Sequence, residues 1–115
     1  MDYTTARDFL IDQGTALITQ RNPDALLVLL AQGKPPIPGQ MTSILLALKV
    51  VFEALKEAPS LDRQLVSALH ILTTESQRLY DGGWRSGVDW PPLLKEDLQR
   101  IELAVRSIFS GVWQG

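Results

Sequence analysis

The chain has 115 residues, 45% hydrophobic and 21% charged, with 11 basic and 13 acidic side chains, one histidine and no cysteine. That is one domain's length, enough to bury roughly two-thirds of the unfolded surface without metal or disulfide staples, so residues 1–115 read as a single helical domain. Zero cysteines remove disulfides, thiolate chemistry and Cys-based zinc or iron–sulfur sites together. A net charge of −2 with both signs scattered along the chain offers no basic track for phosphates, so nucleic-acid binding is not expected.

Hydrophobic periodicity predicts five helices. The first covers about residues 5–19, with Ala6, Phe9, Leu10, Leu17 and Ile18 at three- and four-residue spacing. Gly14 inside it weakens the helix and marks a close helix crossing. A short second helix is punctuated by Asn22 as N-cap, Pro23 at the first helical position and Asp24 at the positive end of the dipole, with Gly33 closing it. Leu26 to Leu30 between them is apolar on every side and predicts deep burial.

Lys34-Pro35-Pro36-Ile37-Pro38-Gly39 cannot be helical, because each proline removes a donor and restrains the residue before it. It reads as a stiff extended spacer. The third helix, about residues 40–58, is apolar around most of its circumference, which predicts a central helix and hub of the fold. Ser60 serves as N-cap for a fourth helix over about residues 61–81, ended by Gly82-Gly83. The fifth starts near Pro91 or Pro92 and ends around Gly111. Its Leu94, Leu98, Ile101, Val105, Ile108 and Val112 alternate four and three apart, a seam suited to a bundle core or to self-association. The expected architecture is an all-α compact bundle of five helices with a central hydrophobic third helix.

The chemistry available is sparse. His70 is the only histidine and falls on the polar side of the fourth helix with Arg63, Thr74 and Gln77, a solvated face rather than a catalytic one. Asp8/Asp12 and Glu53/Glu57 are each four apart, but a hard cation needs more oxygen ligands than one such pair provides. Gly33-Lys34-Pro35 resembles the end of a P-loop only superficially. Val28 stands where the first glycine belongs, Pro35 replaces the hydroxyl, and a helix precedes it instead of a strand. Residues 25–31 and 44–48 are the longest apolar stretches and are too short to span a bilayer. Met1-Asp2-Tyr3-Thr4 lacks the basic and apolar regions of a signal peptide, so a cytoplasmic protein is expected.

What remains is the connector Asp81-Gly82-Gly83-Trp84-Arg85-Ser86-Gly87-Val88-Asp89-Trp90-Pro91-Pro92, with Trp113 beyond the last helix. Trp and Arg are enriched at binding hot spots. Tyr80, Trp84, Arg85 and Trp90 are therefore the candidate partner-binding residues. Trp90 before its two prolines also suits a staple at the entry to the last helix, and Trp113 a cap on the core.

The segments Asp8-Phe9-Leu10-Ile11-Asp12-Gln13-Gly14, Pro35-Pro36-Ile37-Pro38-Gly39-Gln40 leading into Ile44-Leu45-Leu46-Ala47-Leu48-Lys49-Val50-Val51-Phe52, and Gly87-Val88-Asp89-Trp90-Pro91-Pro92-Leu93-Leu94 together resemble a family of short cyanobacterial proteins. Members are sometimes labelled dethiobiotin synthetase. That enzyme is an ATP-dependent P-loop protein, and this sequence contradicts the label. The resemblance implies instead a small assembly factor for the carboxysome shell that grips the tail of a shell protein. The expectation is thus a non-enzymatic protein-binding adaptor or assembly chaperone, with no cofactor and no metal. A small-ligand protein or enzyme with an interhelical pocket around His70, Glu75 or Tyr80 is the alternative, and a homo-oligomer built on the last helix is a third reading.

Overall fold

A computed structural model describes all 115 residues. It contains five α-helices and no strand: α1 (Tyr3–Thr19), α2 (Leu26–Ala31), α3 (Gln40–Leu55), α4 (Arg63–Arg85) and α5 (Leu94–Ser110). No helix is long and apolar enough to cross a membrane. The chain is an all-α bundle, as its periodicity predicts.

The bundle is organised by a crossing of α1 and α4. α1 packs on α2, α3 and α4, while α4 packs on α1, α2 and α5. At the α1–α4 crossing a Cβ on Gly14 would lie 2.7 Å from the Ala68 carbonyl carbon and 2.8 Å from its Cα. Only glycine allows two backbones this close. The crossing anticipated at Gly14 is therefore present, and its partner is the backbone of Ala68.

Two polar devices fix the elements around that crossing. Arg7 on α1 donates from Nε to Asp62 Oδ2 at 2.7 Å. The other oxygen of Asp62 accepts from the Gln64 backbone N–H at 3.1 Å and caps α4. Asp62, not Ser60, is thus the N-cap, so α4 begins two residues later than its periodicity suggests. Buried Gln13 reaches from α1 to α2, where its Oε1 accepts the N–H of Leu26 at 3.0 Å. That bond replaces a local cap, since Ala25 at the N-cap position has none to offer. Asn22 instead accepts from the N–H of Asp24 in a turn, so α2 starts at Leu26 and Pro23 lies outside it.

Leu26 to Leu30 are all buried, as expected. Gly33 closes α2 at a φ of 71°, with the Lys34 N–H donating to the Leu29 carbonyl at 2.9 Å. The proline connector carries the chain to α3. Gln40 holds it down, accepting from the Ile37 N–H at 3.2 Å and donating to the Asp24 carbonyl at 2.6 Å.

The hydrophobic third helix buries Ile44, Ala47, Leu48, Val51 and Phe52 between α1 and α5. Its burial is one-sided: Leu46 is 52% exposed on the outer face. α4 also differs from its sequence reading, because Gly82 and Gly83 do not end it. The helix runs through them and stops at Gly87, whose φ is 89°. There the N–H groups of Gly87 and Val88 donate to the carbonyls of Trp84 and Gly83 at 3.2 and 2.8 Å. Gly83 is a packing residue: a Cβ there would lie 2.8 Å from Cε2 of Trp90. α5 begins at Leu94, past both prolines, and closes at Gly111 as expected.

Three substitutions test this account. Gly14→Ala forces the α1 and α4 backbones apart and lowers unfolding free energy by about 2–3 kcal/mol. Gly82→Ala, whose Cβ meets nothing within 4 Å, raises it by roughly 0.5–1 kcal/mol. Urea denaturation of both variants checks the pair. The third is read against pH. Hydrogen bonds from Arg7 hold the Asp62 carboxyl below the ordinary aspartate range. Its contribution to stability is present above the unfolded pKa and is lost as pH falls through the depressed folded value. Asp62→Asn is expected to be less stable at neutral pH and to show a shallower loss on acidification than wild type.

Candidate functional site

The four residues singled out by sequence do not form one surface. Trp90 points inward and is 7% exposed. Its indole stacks on Tyr80 with ring centroids 6.0 Å apart, and its Nε1 donates to the Tyr80 carbonyl at 3.0 Å. Trp90 and Tyr80 therefore fasten the entry of α5 to the end of α4, the stapling role its position before two prolines suggested, and Trp90 is withdrawn from contact with a partner. Trp84 is 68% exposed, and Arg85 beside it is also exposed. Both sit on the last turn of α4 rather than in a flexible loop.

The residues of the pocket alternative are also dispersed. His70 is exposed on α4, and Glu75 is engaged by Arg78 at 2.7 Å, which holds its carboxyl below the usual range. Glu53 lies between Lys56 and Lys49 at 3.1 and 3.2 Å, forming a solvated charged strip at the end of α3. Asp8 pairs with Arg7, and Asp12 accepts from Asn22 Nδ2 at 3.2 Å. These carboxylates are taken up by neighbouring donors.

A different apolar feature emerges along the seam between α3 and α5. One depression of about 280 Å³ is lined by Pro36, Ile37, Met41, Pro91, Leu93 and Leu94, with Asp97 at its edge. The next, about 250 Å³, lies between Leu45 and Lys49 on one side and Arg100, Leu103 and Ala104 on the other, with Trp113 at its wall. Residue numbers rise together along both helices, so α3 and α5 run parallel and the two depressions follow one another as a groove. Leu93 at its mouth is 61% exposed. Exposed Leu46, one helical turn past Thr42, lies on the neighbouring face of α3 and lines neither depression. Charges flank the groove in pairs, Arg100 with Asp97 at 2.8 Å and Lys49 with Glu53 at 3.2 Å.

Sequence reasoning missed this groove. A third helix apolar around most of its circumference reads as central, and that reading leaves no exposed face for Leu46. The signal was available, since Leu46 lies off the stripe of Ile44, Leu48 and Val51. Leu93 carried no such mark, because only the true start of α5 places it outside the core. No protein-family model, curated protein sequence or solved structure matches the chain.

Fluorescence separates the tryptophans. Trp84→Phe is expected to remove the component most accessible to acrylamide and leave stability unchanged. Trp90→Phe is expected to leave that component in place and destabilise the fold by about 1–2 kcal/mol through the lost hydrogen bond and lost packing.

Proposed function

We propose that this protein is a non-enzymatic adaptor or assembly chaperone that grips an extended apolar segment of another protein in the α3–α5 groove. The observation that carries this reading is the open seam itself, where Ile37 and Leu93 meet solvent at the first of two depressions that follow one another between α3 and α5. Contiguous exposed apolar surface rimmed by charge marks an interaction site. An elongated groove between helices suits an extended or helical segment better than a compact metabolite. The family resemblance supplies the finer part of the proposal: the segment is the tail of a carboxysome shell protein, bound during shell assembly.

Titration of the purified protein with peptides covering shell-protein tails tests both parts. Saturable binding that weakens about tenfold or more in Ile37→Asp/Leu93→Asp, the loss of at least one hot-spot contact, supports the groove. Binding that survives this change but fails in Trp84→Ala/Arg85→Ala moves the site to the end of α4. If no tail binds, the shell assignment falls. Affinity capture from cyanobacterial lysate with wild type and the groove variant then decides whether the adaptor reading survives with another partner.

A further inference from the structure

The segment after α5 turns back on the bundle and enters the basic end of the groove. Gly111 makes the reversal at a φ of 77°. The Gln114 N–H then donates to the hydroxyl of fully buried Ser107 at 2.8 Å, and its side chain donates to Ser110 at 3.2 Å. Between these anchors the Trp113 indole lies against Phe52, with ring centroids 5.1 Å apart, and under the Lys49 ammonium, 3.8 Å from the ring centroid. Leu45, Leu103 and Ala104 form the remaining apolar wall.

Trp113 is nevertheless 39% exposed, and Val112 before it faces solvent. The segment is held by hydrogen bonds of Val112 and Gln114 to the hydroxyls of Ser110 and Ser107 and by one partly covered ring, with no helical backbone ladder of its own. Such a segment opens at low cost compared with the helices behind it. When it lifts, it leaves a notch with an apolar floor and a cation above, the arrangement that binds an aromatic face.

We infer that this notch is a receptor for an aromatic side chain, and that Trp113 is its built-in occupant, displaced when a partner segment presents an aromatic residue of its own. This rests on the adaptor reading for the identity of the partner but not for the existence of the notch. Trp113 is the argument for the chemistry: it shows which side chain the site accepts and how a chain enters it. A short tether keeps such an occupant at an effective concentration in the millimolar range. The partner therefore competes against the strap, and the site stays covered until a segment that also fills the neighbouring apolar depression arrives.

The experiment uses N-acetyl-L-tryptophanamide as probe, with N-acetyl-L-leucinamide as comparison, titrated into the 115-residue chain and followed by amide NMR shifts. Trp113→Ala is expected to show saturable shifts clustered at Leu45, Lys49 and Leu103 with the tryptophan probe. The leucine probe and wild type are expected to respond about tenfold more weakly. Ser107→Ala, which loosens the strap and leaves the notch intact, is expected to fall between wild type and Trp113→Ala. No saturable site in either variant, or equal response from wild type and Trp113→Ala, overturns the inference. Shell-tail titration is unaffected by that result, so failure of the notch and failure of the adaptor reading are distinguishable.

Discussion

The contact between Gly14 and the backbone of Ala68 is the constraint on which the other elements depend. It brings α1 and α4 to a separation that no side chain permits, and these two helices each pack on three others. Once their distance is set, Arg7 can reach Asp62, and Gln13 can reach across to the unsatisfied start of α2. A six-residue helix such as α2 is too short to hold its shape alone. It persists because Gln13 satisfies one of its orphan donors and because Leu26 to Leu30 are buried. The close crossing thus acts through geometry: it places polar groups where they complete elements that local sequence leaves incomplete.

Much of this was legible from the chain. Period-3.6 patterning located all five helices, Gly33 and Gly111 marked two of the ends, and Gly14 announced a crossing. The errors share a physical origin. Gly82-Gly83 looks like a terminator because glycine is costly inside a helix. Tertiary packing outweighs that cost, since the indole of Trp90 needs the space a Cβ would occupy at Gly83. Extending α4 by one turn then moves Trp84 and Arg85 from a loop onto a helix. Ser60 and Asn22 lost their capping roles to Asp62 and Gln13, because those caps also join α4 and α2 to α1. A local rule gave way each time a long-range contact, a packed indole or a hydrogen bond to another helix, competed with it.

The candidate site was less legible for the same reason. Tyr80, Trp84, Arg85 and Trp90 are close in sequence, but α4 and the Trp90 staple divide them between core and surface. The residues that line the groove come from the proline connector, α3, the start of α5 and the strap after it. No sequence window contains them together. Their juxtaposition depends on α3 and α5 lying parallel, which depends in turn on the long return of the chain through α4.

That topology also explains why the groove is open. α1 packs on another side of α3 and α4 on another side of α5, and parallel neighbours have no short connection to run across their seam. Full burial of a leucine side chain is worth about 1.5–3 kcal/mol, and Leu46 and Leu93 leave part of that unrealised in the isolated chain. The strap recovers a share at one end by laying Trp113 on Phe52. At the Leu93 end nothing comparable lies over the groove, and Pro36, Ile37 and Pro91 stiffen its margins. A stiff apolar margin loses little conformational entropy on contact, which is the condition under which modest area yields useful affinity. In the adaptor reading, a partner segment would enter at this uncovered end and meet Trp113 last, so the strap would discriminate among segments already engaged.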